Sequence, residues 1–264
     1  MKLLTIPNIV TLLNMLCGIL SILACLQGEL LIAFYLLFTG AFFDFFDGFL
    51  ARILKQPSEI GKQLDSLADA ITFSAAPGFL VFTFLCFIEL NEYIYVPSST
   101  FGLRMAVNEV VTSWWSLDFG KMHLFPLIAF LIPAFSILRL AKFNIDERQT
   151  DSFIGLPTPA NALFFASLVL FCSNNRLLEI TSNKLIWSAL IVVFSFLLIS
   201  ELKLFSLKFK TWGWHENSIR YVFLFLSLII ILLLNYASIA IIVFLYLVFS
   251  LVANYSKKTE KNEI

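Results

Sequence analysis

Residues 44–69 read Asp44-Phe-Phe-Asp47-Gly48-Phe-Leu-Ala51-Arg52-Ile-Leu-Lys-Gln-Pro57-Ser58-Glu-Ile-Gly61-Lys-Gln-Leu-Asp65-Ser-Leu-Ala68-Asp69, set between two apolar runs. Asp44 and Asp47 are three apart, and Asp65 and Asp69 four apart, so each pair shares one face of a helix. Pro57 interrupts the chain between them. The spacing predicts two antiparallel helices joined by a short turn, with both acidic pairs near it. The same faces carry small residues: Gly40, Gly48 and Ala51 on the first helix, and Gly61, Ala68, Thr72 and Ala76 on the second. Small side chains let backbones, or a bulky polar ligand, approach closely.

The rest of the chain sets this hairpin in a membrane. Of 264 residues, 59% are hydrophobic and 14% charged, against about 25% charged in a soluble domain. A bilayer core needs roughly 20 helical residues to cross. Apolar runs of that order predict spans at about 8–27, 30–54, 65–90, 121–143, 154–173, 184–200, 218–235 and 237–254. Such lengths fit helices, not barrel strands. Between 91 and 120, Pro97, Trp114 and Trp115 are expected partly at the interface, where Trp is favoured. The expected fold class is therefore all-α: a polytopic membrane helix bundle of about eight transmembrane helices.

Charge orients the bundle. With the N-terminus inside, only Arg104, Lys121, Arg176 and Lys184 of the 18 Lys and Arg fall outside, so the positive-inside rule puts both termini in the cytoplasm. The 18 Lys and Arg balance 18 Asp and Glu, which argues against a nucleic-acid binder with its basic face. Cys17, Cys25, Cys86 and Cys172 have no metal or disulfide spacing and read as small buried hydrophobes. Leu23-Ala24-Cys25 resembles a lipoprotein cleavage site, but Asn8, Thr11 and Asn14 interrupt the apolar stretch before it, so this segment reads as the first helix. Residues 1–264 are expected to form one domain, with 255–264 a disordered tail.

An acidic residue at the centre of a spanning helix costs about 2.5–3.5 kcal/mol. Four of them need a partner, and facing one another they would repel unless cations sat between them. Hard oxygen ligands suit Mg²⁺ or Mn²⁺, and two such ions suit displacement at phosphorus. His123 and His215 lie at loop edges and read as surface residues. Arg52, eight residues after Asp44, reaches about 12 Å further along the helix, toward the cytoplasmic end. It reads equally as a phosphate ligand or as a topology charge.

The string Asp44, Asp47-Gly48, Ala51-Arg52, Gly61, Asp65, Asp69 resembles the signature of the CDP-alcohol phosphatidyltransferases, D-x2-D-G-x2-A-R-x8-G-x3-D-x3-D, with every defined position filled. Three further stretches resemble the family members that use L-serine as acceptor. They are Ile6-Pro7-Asn8 through Thr11 to Asn14, Ser58-Glu59-Ile60-Gly61 running into Leu64-Asp65-Ser66, and Leu138-Arg139-Leu140-Ala141-Lys142-Phe143-Asn144 followed by Gly155-Leu156-Pro157-Thr158-Pro159-Ala160. The resemblance spans roughly 1–165.

It implies transfer of a phosphatidyl group from CDP-diacylglycerol to the serine hydroxyl, giving phosphatidylserine and CMP. Asp44, Asp47 and Asp65 would hold one divalent ion; Asp44, Asp65 and Asp69 would hold a second. Asp69 would also be the general base. Asn8, Thr11, Gly48, Arg52, Ser58 and Gly61 would contact the CDP portion. A carboxylate on the acceptor wants cations, and Arg139, Lys142 and Asn144 are the candidates. The family segment usually has Arg where this chain has Lys142, which removes a bidentate fork. A homodimer in the bacterial cytoplasmic membrane, its site facing the cytoplasm, is also implied. Glycerol phosphate, inositol phosphate and choline are the alternative acceptors. A cation transporter using the acids as an ion path would leave Gly48, Ala51 and Arg52 at their fixed offsets unexplained.

Overall fold

A computed structural model describes residues 3–91, 99–116, 122–145, 153–173, 182–204, 213–234 and 236–262; the side chains of 153, 203, 214–217, 219 and 252–262 are outside the described set. Pro97, Lys121 and Arg176, used above for the interface and for orientation, lie outside it too, as does the side chain of His215.

The helices are α1 (Ile6–Leu26), α2 (Leu30–Ile53), α3 (Glu59–Asp69), α4 (Ala76–Asn91), α5 (Thr100–Trp115), α6 (Leu131–Ile145), α7 (Thr158–Cys172), α8 (Lys184–Ile199), α9 (Trp214–Leu234) and α10 (Ala237–Asn262). A π-helical segment, Ala70–Ala75, joins α3 to α4, and a 3₁₀ turn, Phe125–Phe130, leads into α6. Two short antiparallel strands, β1 (Phe153–Ile154) and β2 (Lys203–Leu204), clip the loop before α7 to the chain after α8. Among the described residues, four helical stretches are long and apolar enough to cross a membrane: Ile6–Leu26, Leu30–Ile53, Glu59–Asn91 and Phe125–Ile145. Shorter apolar helices are Thr158–Cys172, Lys184–Ile199, Arg220–Leu234 and Ala237–Leu251.

Three boundaries differ from expectation. The third span starts at Glu59, because Ser58 caps α3 by accepting from the Gly61 amide at 3.0 Å; its first turns are polar, and a hydropathy reading cannot see them. Residues between 91 and 120 include a full helix, α5. The last helix continues to Asn262, through most of the expected tail.

The bundle is patterned for lipid outside. In α1, Asn8, Thr11, Asn14 and Ser21 are buried, while Leu13, Leu16, Leu20 and Leu23 are exposed. Polar groups turned inward need internal partners: Ser21 Oγ donates to the Ala33 carbonyl at 2.9 Å, and Thr72 Oγ1 donates to the Asn14 carbonyl at 3.0 Å. The stretch α3–π–α4 is the central post, with Phe73, Leu80, Phe84 and Leu85 fully buried. Close contact at its middle is made by glycine. A Cβ on Gly18 would lie 2.8 Å from Thr72 Cα, and one on Gly40 would lie 2.7 Å from Thr72 Cγ2. Thus α1 and α2 both press on the π-helical segment, one turn below the acidic pairs.

At the far end of the bundle Glu89, only 5% exposed, joins α4 to two other elements. His123 Nδ1 lies 3.0 Å from Glu89 Oε1, and Lys184 pairs with Glu89 Oε2. His123 is thus a partner of a buried acid and not the surface residue its position suggests. The four cysteines are buried and unbridged.

Candidate active site

The turn between α2 and α3 makes the site. Helix α2 ends with the Lys55 amide donating to the Arg52 carbonyl at 3.2 Å and the Gln56 amide to the Ala51 carbonyl at 2.9 Å. Lys55 takes a left-handed conformation, φ 51°, the usual place for glycine in this type of helix end. The chain then reverses through Pro57, and Ser58 opens α3. The acidic pairs, one on each helix, are brought face to face.

Single carboxylate oxygens of Asp44, Asp47 and Asp65 all lie within 4.8 Å of one another. Asp44 is also in hydrogen-bonding reach of Asp65 and Asp69. All four expected acids are therefore gathered, Asp69 joining through Asp44. Among the described residues no lysine or arginine forms an ion pair with any of them. Two neutral donors from α1 reach the cluster: Thr11 Oγ1 donates to Asp47 Oδ2 at 2.6 Å, and Asn14 Nδ2 points to Asp69 Oδ1 at 3.4 Å. Four mutually facing carboxyl groups, one of them only 6% exposed, need protons or cations between them. An all-oxygen donor set of this size fits hard divalent cations.

Beside the cluster lies a cavity of about 240 Å³, lined by Pro7, Asn8, Thr11, Asp47, Gly48, Ala51, Gln56, Pro57, Ser58, Gly61, Lys62 and Asp65. It holds five of the six residues expected at the CDP portion: Asn8, Thr11, Gly48, Ser58 and Gly61. The first turns of α1 and α3 both border it, and helix N-termini favour anions. A Cβ on Gly61 would meet Ser58 Oγ at 3.0 Å and Asn8 Oδ1 at 3.1 Å, whereas one on Gly48 would meet nothing within 4 Å. Glycine at 48 thus leaves open space on the cavity wall. Arg52 does not line the cavity: its Nε donates to the Gly48 carbonyl at 3.0 Å, and the residue is exposed.

The three residues expected at the acceptor separate. Arg139 is 7% exposed, donates through Nη1 to Thr158 Oγ1 at 3.4 Å, and lies in electrostatic reach of Asp69. Its guanidinium also sits over the Phe143 ring, 5.2 Å from the centroid. Lys142 turns the other way, pairing with Glu201 at 2.6 Å and donating to the Ile199 carbonyl at 3.3 Å. Asn144 bonds Ser66 on α3, Nδ2 to Oγ at 2.9 Å.

Sequence reasoning missed Asn14 as the neighbour of Asp69, and Gln56 and Lys62 as wall residues. Asn14 had a signal: it stands three residues after Thr11, on the same helix face. Gln56 and Lys62 had none beyond proximity to the turn.

A family model described as CDP-alcohol phosphatidyltransferase matches residues 4–198. The chain is 30% identical over 198 residues to the CDP-diacylglycerol–serine O-phosphatidyltransferase of Bacillus subtilis (strain 168), covering 75% of this chain and 88% of that protein. It is 29% identical over 248 residues to the protein of the same name from Helicobacter pylori (strain ATCC 700392 / 26695), covering 93% and 89%. An archaetidylserine synthase of Methanothermobacter thermautotrophicus is 29% identical over 167 residues, covering 62% of this chain and 58% of that protein.

Proposed function

Because the chain belongs to the CDP-alcohol phosphatidyltransferase family, we propose that it transfers the phosphatidyl group of CDP-diacylglycerol to the hydroxyl of L-serine, releasing CMP. The observation that carries this reading is the meeting of four carboxylates at the head of a cavity bordered by two helix N-termini. The names of the relatives supply the acceptor.

Two divalent ions would be held by the four acids, one by Asp44, Asp47 and Asp65 and the other by Asp44, Asp65 and Asp69. When bound, Mg²⁺ or Mn²⁺ would neutralise the diphosphate and stabilise charge developing on the reacting phosphoryl group. Asn8, Thr11, Gly48, Ser58 and Gly61 form the wall for the CDP portion, and Arg52 swings in from its resting place on Gly48. Asp69 accepts the proton of the serine hydroxyl as its oxygen bonds to the lipid-bearing phosphorus. The bond from that phosphorus to the CMP oxygen breaks, and CMP leaves. A hydroxyl needs such a base at neutral pH. Arg139, a buried cation in electrostatic reach of Asp69, takes the serine carboxylate. Glycerol phosphate and inositol phosphate carry a second phosphate, and the sparse cations here suit them less.

In this reading residues 1–264 are one domain with eight spans in the cytoplasmic membrane of a bacterium. Both termini and the site face the cytoplasm, and the protein works as a homodimer. The test is purified protein with CDP-diacylglycerol, Mn²⁺ and a panel of acceptors, measuring CMP and lipid product. Phosphatidylserine formed with L-serine is expected; CMP release with another acceptor and none with serine overturns the acceptor assignment.

A further inference from the structure

Behind the acidic cluster lies a second group of polar residues with nothing to bind. Ser74 Oγ on the π-helical segment, Ser136 Oγ on α6, and both Oδ1 and Nδ2 of Asn161 on α7 are buried and have no hydrogen-bond partner among the described residues. All three residues are 0% exposed. A polar group buried without a partner is costly, so four such atoms point to an occupant.

The helix registers bring them to one level. Ser66 bonds Asn144, and a Cβ on Gly78 would touch Pro133, so α3–π–α4 runs antiparallel to α6. Counting inward from either contact sets Ser74 opposite Ser136. Helix α7 also runs antiparallel to α6. It starts where Thr158 meets Arg139 and ends with Leu170 and Ser173 beside Gly28 and Phe87, at the far end of the bundle. Asn161, three residues after Thr158, is therefore level with Ser136, three residues before Arg139. Three residues are about 4.5 Å of helix, so the group lies one turn deeper than Arg139 and its neighbour Asp69.

We propose that Ser74, Ser136 and Asn161 seat the ammonium group of the acceptor amino acid. This rests on the serine reading above. An ammonium has three N–H donors and no acceptor; Ser74 Oγ, Ser136 Oγ and Asn161 Oδ1 offer three acceptors from three elements. Asp69 takes the hydroxyl proton, Arg139 the carboxylate, and the deeper group the ammonium, so each polar corner of a small zwitterion has a partner. Neutral acceptors do this without adding a charge to the bundle interior. They also discriminate: an acceptor alcohol lacking the ammonium would leave them unsatisfied, and sites built to bond a substrate group reject analogues that lack it.

The test compares the wild type with Asn161→Leu and Ser136→Ala in detergent with Mn²⁺. The KM for L-serine is expected to rise at least ten-fold in Asn161→Leu and several-fold in Ser136→Ala, with the KM for CDP-diacylglycerol unchanged. A readout independent of turnover is the shift in unfolding midpoint caused by L-serine with Mn²⁺ and CMP, present in the wild type and lost in Asn161→Leu. Ser136→Ala removes an unpartnered hydroxyl, so without serine its midpoint should equal or exceed that of the wild type, and it reports binding even if Asn161→Leu folds poorly. A serine KM within two-fold of wild type in Ser136→Ala, with the serine-induced shift retained, overturns the seat and leaves these atoms to water. A wild type that makes phosphatidyl product only from other acceptors overturns the serine reading instead.

Discussion

Thr11 Oγ1 donates to Asp47 Oδ2 at 2.6 Å across 36 residues of chain, tying the second turn of α1 to the acidic pair of α2. The bond constrains the orientation of a carboxylate that also lies within 4.8 Å of single oxygens of Asp44 and Asp65.

Thr11→Val keeps the shape and removes the donor. Groups that orient metal ligands typically contribute 10–100-fold in metal affinity. The Mn²⁺ concentration for half-maximal CMP release should rise by about that factor, with folding intact by unfolding midpoint. An unchanged Mn²⁺ requirement would mean that Asp47 does not depend on this bond.

Asp69→Asn should lower CMP release by about 10²–10⁴-fold, the usual contribution of a positioned base, while the protein still binds CMP in the presence of Mn²⁺. Turnover near wild type would remove Asp69 as the base. Chelation of divalent ions should abolish turnover in the wild type, with recovery on adding Mg²⁺ or Mn²⁺; activity persisting through exhaustive chelation would refute the metal reading.

Arg139 and Lys142 should separate. Arg139 is buried within electrostatic reach of Asp69, whereas Lys142 is held by Glu201. Arg139→Lys should raise the KM for serine at least ten-fold, because one ammonium cannot reproduce a fork. Lys142→Ala should change it less than three-fold. The pair with Glu201 is partly exposed and contributes at most about 1 kcal/mol, so the unfolding midpoint of Lys142→Ala should barely move. The opposite ranking of the two KM effects would give the carboxylate to Lys142.

Two glycine substitutions should act in opposite ways. Gly18→Ala pushes a methyl to 2.8 Å from the Thr72 backbone and should cost about 1–3 kcal/mol, as overpacking does, seen as a lower unfolding midpoint. Gly48→Ala meets nothing and should keep or raise the midpoint, while the added methyl in the cavity raises the KM for CDP-diacylglycerol. Loss of stability in Gly48→Ala without a change in that KM would argue against Gly48 as a substrate wall.

Much of the site was legible because it is local. Asp44, Asp47, Asp65 and Asp69 sit at helical spacings either side of a proline turn, so periodicity alone predicted that they meet. Asn8 and Thr11 were legible only through the family resemblance; geometry then put them on the cavity wall. Partnerships between distant elements had no local signal. Nothing around residue 142 announces Glu201, and nothing around His123 announces Glu89, because each pairing depends on how separate helices pack. The π-helical segment 70–75 is equally silent, since its residues are ordinary helix and strand formers.

That widened turn has a consequence of its own. A single residue inserted into or deleted from a helix turns everything beyond it by about 100°. Above the wide turn the post shows its acids to α1 and α2; in its last residues it sets Ser74 level with Ser136 of α6 and Asn161 of α7. Cutting one residue from 70–75 would leave every hydrophobic length intact and the chain fit for its bilayer. It would nonetheless point the two halves of the site along unrelated compass bearings, yielding a well-inserted protein with its chemistry out of phase.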